Sequence, residues 1–233
     1  MNLNILYEDE EILVVEKPAG LESQSARSFE PDMISEVKKH IHTLSTKPVP
    51  PYVGVIHRLD KPVGGVMVYA KTKQAADVLS RQVSGHEMKK VYTAVVCGKP
   101  VENSGTYVDY LWKDGKNNCS EIVDKGIKDG KLAELFFRVV DSRKNGEEEY
   151  SLLEIILKTG RHHQIRVQMA GHGTPLWGDR KYNPGFQEGP ARGNVALFAS
   201  SLTFSHPVTK KKMTYEAEAK GKGFEMFQAL TLK

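Results

Sequence analysis

"GVIHRLDKPVGGVMVYAKT", residues 54–72, holds two apolar runs rich in β-branched residues, joined by a charged corner. Such runs favour strands, while Pro62, Gly64 and Gly65 break the chain between them. A strand, a tight corner and a second strand predict hairpin-like antiparallel pairing rather than a parallel crossover. The predicted strands cover residues 52–59 and 66–71. In the first, His57 and Leu59 face one side while Arg58 and Asp60 face the other. The corner thus presents one carboxylate, Asp60, with Arg58 and Lys61 beside it. It reads in two ways: a reactive carboxylate kept ionised by neighbouring cations, or an ordinary salt-bridge partner.

Outward from this corner, strands dominate. "NILYEDEEILVVEKPAG" predicts strand, turn and strand, stopped by Lys17-Pro18-Ala19-Gly20. "PDMISEVKKHIHTL" places Met33, Ile34, Val37 and Ile41 at helical spacing, and the Pro-rich loop "STKPVPPY" bars its continuation. "KQAADVLSRQVS" predicts a helix and "KKVYTAVVCG" a strand ending at Gly98. In the polar stretch 99–150, strands are predicted near 106–111 and 132–140. "YSLLEIILKTG" predicts a strand, and "RHHQIRVQMAGHG" a helix capped by Thr159 before it and by Gly171 or Gly173 after it. "NVALFASSLTFSHP" and "KKMTYEAEAK" predict closing strands, and "GFEMFQAL" a final short helix. Without regular strand–helix alternation a doubly wound parallel sheet is not expected. The expectation is one α+β domain over residues 1–233 around a mostly antiparallel sheet.

The 233 residues carry a net charge of +4, but unevenly. Residues 1–36 hold nine acids and two bases; the rest holds 31 bases and 20 acids. That asymmetry points to a polyanion partner for the later chain. No apolar stretch approaches the ~20 residues of a membrane span, and the acidic N-terminus lacks secretory character, so no membrane contact is expected. Two cysteines without a CxxC pairing suit a reducing cytoplasm, the expected location.

Two further places hold candidate chemistry. On a helix starting at Arg161, His162, Arg166 and Met169 share a face, and Ile165 shares a stripe with Met169. A helix start carrying Arg161, His162 and His163, with Arg166 one turn in, suits phosphate or carboxylate binding. Adjacent histidines point different ways on a helix, and HxxxH spacing is absent, so no metal is expected. Tyr92 within "KKVYTAVVCG" reads, in isolation, as a packing residue. The chain has no GxxxxGK[ST], no GxGxxG after a strand and no GxSxG, so nucleotide hydrolysis, dinucleotide redox and esterase chemistry lack support.

Taken together, these pieces resemble the RluA-type pseudouridine synthases, which isomerise uridine in structured RNA. His57-Arg58-Leu59-Asp60 resembles that family's HRLD motif, "KKVYTAVVCG" its second motif, and "LKTGRHHQIRVQMA" its TGRxHQxR pattern. "ILVVEKPAG", "GDRKY" and "ALFASSLTFSHP" follow in family order, so the likeness runs from about Ile5 to His206. Two departures stand out: Val63, Gly64 and Gly65 replace the usual Thr-Ser-Gly, and Phe198 stands where members often carry His. The resemblance implies a bent, mixed but mostly antiparallel sheet with surrounding helices and loops. Many members carry an S4-like module in front; here a stand-alone catalytic domain without it is expected.

By resemblance Asp60 attacks the sugar, at C1′ or by taking the 2′ proton, and Arg166 pairs with it. Tyr92 stacks on the uracil and accepts the C5 proton, and Ile165 meets the ring's other side. Arg58 fills the space left by the flipped base, while Arg161 and His163 complete the substrate-binding set. The expected partner is structured RNA, ribosomal or transfer. A monomer is the default, and no cofactor, nucleotide or metal is expected. Two rival readings stay open: a catalytically silent RNA-binding protein or RNA chaperone of the same fold, and a nucleic-acid N-glycosylase using one carboxylate and a flipped base.

Overall fold

The computed structural model describes residues 2–24, 30–44, 49–188 and 193–228. In chain order the elements are β1 (Asn4–Glu8), β2 (Ile12–Lys17), α1 (Met33–Leu44), β3 (Gly54–Val55), β4 (Gly64–Ala70), α2 (Lys73–Ser84), β5 (Lys89–Cys97), β6 (Ser104–Asp114), β7 (Cys119–Val123), β8 (Lys131–Asn145), β9 (Glu148–Leu157), α3 (Gln164–Gly171), β10 (Leu197–Ser205), β11 (Lys212–Glu216) and α4 (Glu225–Gln228). They belong to two compact units, Met1–Lys89 with Ala199–Glu218, and Lys90–Phe198 with Ala219–Lys233. Mostly antiparallel strands with few helices make this an α+β protein.

In the first unit β2 lies between β1 and β4, antiparallel to both. All seven residues of β4 are buried, which explains why "GGVMVYA" reads as a continuous apolar run instead of alternating. Thr72 caps α2 by accepting the Ala75 N–H at 3.1 Å. Ala75 and Leu79 of that helix pack into a core with Ile12, Val14, Val68 and Phe204. Burying a side chain such as Leu79 stabilises by roughly 2 kcal/mol. β10 and β11 form an antiparallel pair from Ser201↔Glu216 to Ser205↔Lys212.

The first of the two predicted strands is much shorter than expected. Only Gly54–Val55 pairs, opposite Ala70 and Tyr69 of β4. A strand has two edges; β2 takes one from Ile12↔Ala70 to Lys17↔Gly65, and β10 shares the other with β3. Residues 56–60 therefore belong to no strand.

In the second unit the strand order is β5-β9-β8-β6-β7, with every pair antiparallel. The strands predicted near 106–111 and 132–140 are β6 and β8, both longer than their apolar patches. β7 was not expected from the sequence: of its five residues only Ser120 is buried. Its hairpin turns at Asp114, whose Oδ1 accepts the N–H groups of Lys116 and Asn117. The predicted final helix is seen to Gln228; its residues 229–230, and residues 45–48 of the Pro-rich loop, lie outside the described residues. Among the described residues no helix is long and apolar enough to cross a membrane.

Candidate active site

The Asp60 corner is built from main chain. Ser23, 3 % exposed, grips the residue before Asp60 from both sides: its Oγ donates to the Leu59 carbonyl at 2.7 Å and accepts the Leu59 N–H at 3.0 Å. A single side chain thus replaces the missing strand partner. The Val63 N–H donates to the Asp60 carbonyl at 2.9 Å, closing the turn, and the Gly20 N–H donates to the Lys61 carbonyl at 2.7 Å. Beneath lies Lys17, fully buried, whose ammonium donates to the carbonyls of Pro18, Leu21 and Lys61. Burial pushes the Lys17 pKa down to about 8, against the upward pull of Asp60 and Glu22. Gly65, the second residue of β4, adopts φ +126°, and a Cβ there would lie 2.3 Å from the Ala199 carbonyl oxygen. Only glycine fits this approach. Lys61 pairs with Glu22 at 3.6 Å and Glu30 at 3.9 Å. Arg58 is exposed and lines, with Gln24, Val55, Ile56 and His57, a cavity of about 240 Å³.

The Arg166 corner is built from side chains. The helix begins at Gln164, not Arg161, and its N-cap is His163 in the left-handed region at φ 53°. Thr159 is not the cap. Its hydroxyl accepts the Glu134 N–H at 2.9 Å and donates to Gln164 Oε1 at 2.8 Å, and the same oxygen accepts the Arg161 N–H at 2.9 Å. The long-range tie to β8 holds residues 159–163 out of the helix. His162 therefore does not share a helical face with Arg166, and the two histidines do not diverge: their rings stack with centroids 3.8 Å apart. At the other end Gly173, at φ +81°, is the terminating glycine, after the C-cap His172.

Arg166, 6 % exposed, makes a two-pronged ion pair with Asp179, from Nε to Oδ2 and from Nη2 to Oδ1, both at 2.7 Å. Its guanidinium lies 5.2 Å from the centre of the Tyr182 ring. Tyr182 Oη accepts the Ser120 N–H at 2.7 Å, and we assign its proton to the 2.7 Å bond with His163 Nδ1. That leaves the proton of neutral His163 on Nε2. Burial, then the positive charges of Arg166, His162, Lys181 and Lys113, pushes the His163 pKa down to about 2. Burial raises the Tyr182 phenol to about 12.

By unit, Asp60 and Arg58 fall in the first, and Tyr92, Arg161, His163, Ile165 and Arg166 in the second. Tyr92 is 7 % exposed on β5, opposite Ile155 of β9, and Ile165 is buried on α3. Arg161 spends its Nε–H on the Leu132 carbonyl at 2.8 Å. Ser23 carried no role in the sequence and left no sign there, and Lys17, Asp179 and Tyr182 carried none either, but the last three lie in motifs. For those three the signal was present, since "EKPAG" and "GDRKY" both stood out. Among the described residues no group of three or more His, Cys, Asp or Glu is placed to hold a metal.

The fold is that of pseudouridylate synthase domains. The human RNA pseudouridylate synthase domain containing 4 aligns with a TM-score of 0.75 at 21% identity, covering 93% of this chain and 88% of that one. In sequence, residues 11–171 match the RNA pseudouridylate synthase family, and the chain belongs to that family, with RluA-type character. The dual-specificity RNA pseudouridine synthase RluA of Escherichia coli K12 is 36% identical over 218 residues, spanning 93% of both chains. The ribosomal large subunit pseudouridine synthase D of Pseudomonas aeruginosa is 33% identical over 238 residues, spanning 93% of this chain and 68% of its own. The chain is therefore an isomerase that makes pseudouridine in RNA.

Proposed function

We propose that the protein isomerises one or a few uridines in ribosomal or transfer RNA, acting in the cytoplasm as a monomeric catalytic domain. Asp60 is the carboxylate that acts on the sugar, and Arg166 pairs with it. The reaction breaks N1–C1′, turns the uracil, joins C5 to C1′ and moves the C5 proton away; a hydrogen returns at N1, so substrate and product are isomers. Tyr92 stacks on the uracil and takes the C5 proton, and Ile165 contacts the ring from its other side. The base must first leave its stack, which costs a few kcal/mol. Arg58 enters the vacated space, where its planar guanidinium stacks on neighbouring bases. Arg161 and His163 complete the substrate-binding set.

The observation that carries this reading is the construction of the Asp60 corner. Ser23, Gly20 and buried Lys17 bind the backbone on both sides of Asp60 and so fix the place of its Cα in the turn. A residue kept only for structure has no need of so rigid a mount. The choice of RNA rests on the relatives, one named for the ribosomal large subunit and one for dual specificity.

The deciding experiment maps pseudouridine at single-nucleotide resolution in total RNA from cells lacking the protein, with rescue by wild type and by Asp60→Ala. One or a few sites should vanish and return only with wild type. Restoration by Asp60→Ala would remove Asp60 from the mechanism, and an unchanged map would remove the proposed substrate.

A further inference from the structure

Arg166 has its own anion, and that has a consequence for catalysis. A buried guanidinium requires a counter-charge in the resting protein, because an uncompensated buried charge is strongly destabilising. Asp179, 1 % exposed, meets that need from the side of the guanidinium. The side-on fork uses two of the five N–H groups of arginine and aims the other three, on the Nη1–Nη2 end, away from Asp179. The carboxylate is itself fixed: Oδ1 also accepts the N–H groups of Lys181 at 2.9 Å and Tyr182 at 3.2 Å. The Tyr182 ring lies under the guanidinium, and its hydroxyl is tied to Ser120 of β7 and to His163. A flexible side chain with four torsions is thereby reduced to one plane and one direction.

We infer that Asp179 and Tyr182 are positioning residues for Arg166, and that Ser120 brings the β6–β7 hairpin into the catalytic machinery by holding Tyr182. The inference rests on the roles given above to Asp60 and Arg166. Part of the 99–150 segment thereby acquires a purpose. β7 holds Tyr182 through the Ser120 N–H, and the hydroxyl of the same residue, the one buried on that strand, donates to the His162 carbonyl at 2.9 Å.

The test is a double-mutant cycle between Asp179→Asn and Arg166→Lys, with Asp179→Glu and Asp60→Ala run in parallel. The probe is bulk RNA from cells lacking the protein, labelled with tritium at uracil C5; replacing the C5–H bond by C5–C1′ releases the label. Asp179→Asn should lose about 10- to 100-fold in turnover, as expected for a misplaced catalytic group, while the apparent KM stays within about 3-fold. Asp179→Glu should recover part of the loss. In the Arg166→Lys background, which has no fork to orient, Asp179→Asn should cost less than about 3-fold.

Unchanged turnover in Asp179→Asn, a loss confined to KM, or losses that multiply with Arg166→Lys would each overturn the inference. If Arg166→Lys falls below detection or Asp179→Asn does not fold, recovery decides: Asp179→Glu no better than Asp179→Ala overturns it. Wild-type turnover in Asp60→Ala would instead overturn the reading of Asp60. Inactive Asp60→Ala with a multiplicative cycle overturns only the positioning role.

Discussion

Two corners of the molecule carry the proposed charge pair, and they are made by opposite means. Asp60 sits on a turn fastened through its neighbours' backbone: Leu59 by Ser23, Lys61 by Gly20 and Lys17. Arg166 sits on a helix and is fastened through its own side chain, by Asp179 and Tyr182. The difference follows from length. An aspartate is short, so fixing its Cα fixes its carboxylate. An arginine spans four torsions, so fixing its Cα fixes little. A backbone-built corner should therefore fail when the chain path is disturbed, and a side-chain-built corner when a proton or a charge is.

The largest effect should come from the chain path. Gly65→Ala sets a Cβ 2.3 Å from the Ala199 carbonyl oxygen at φ +126°, so both sterics and conformation oppose it. A loss of about 3 kcal/mol or more is expected, measured by urea unfolding, with turnover lost alongside. Near-native stability would mean that β4 and β10 can part without cost, and that the corner is not backbone-built. This glycine also shows the limit of sequence reading. The sequence marks Gly64-Gly65 as a break, but which glycine is obligatory depends on Ala199, 134 positions later.

The second corner should answer to acid. His163 is neutral in the folded chain down to about pH 2, whereas an unfolded histidine takes up its proton near 6.5. Below 6.5 the unfolded state binds more protons, so stability falls as pH falls, by about 1.4 kcal/mol per unit. Against His163→Gln, which keeps an acceptor for the Tyr182 hydroxyl, wild type should lose about 2 to 3 kcal/mol between pH 6.5 and 4.5. Parallel pH profiles would mean that His163 is charged in the fold, and that the proton on Nε2 is wrongly assigned.

The same contrast explains what was legible in advance. Asp60 and its motif could be read because a corner made by local breaks leaves local signs: Pro62, the glycines and two apolar runs. The termination of α3 by Gly173 is local too. The start of α3 is not. Thr159 and Gln164 are drawn to Glu134 on β8, and that contact, invisible in a window of thirteen residues, moves the helix start from Arg161 to Gln164. Likewise the predicted strand at 52–59 shrank to two residues because β10, supplied by a distant segment, occupies the edge it would have used. Asp179 fell within a recognised motif, but its partner could not be known until α3 and its loop were folded together.

The smallest effect tests the first corner from beneath, and its sign is opposite. Folded Lys17 loses its proton near pH 8, an unfolded lysine near 10.4. Burying the charged ammonium therefore costs stability below pH 8, and the cost is relieved as pH rises toward 10.4. Measured against Lys17→Met between pH 7 and 9.5, wild type should gain about 2 kcal/mol, whatever the absolute stability of the variant. The range stops short of the tyrosines, whose raised values, about 12 for Tyr182 and Tyr215, work the other way above pH 10. The result also ties Lys17 to Asp60. Part of what holds Lys17 as high as 8 is the Asp60 charge, so Asp60→Asn should lower it further and move the wild-type gain to lower pH. An unmoved transition in Asp60→Asn would leave the lysine as scaffold alone. A shifted one would show that the buried cation beneath the turn senses the charge on the carboxylate above it.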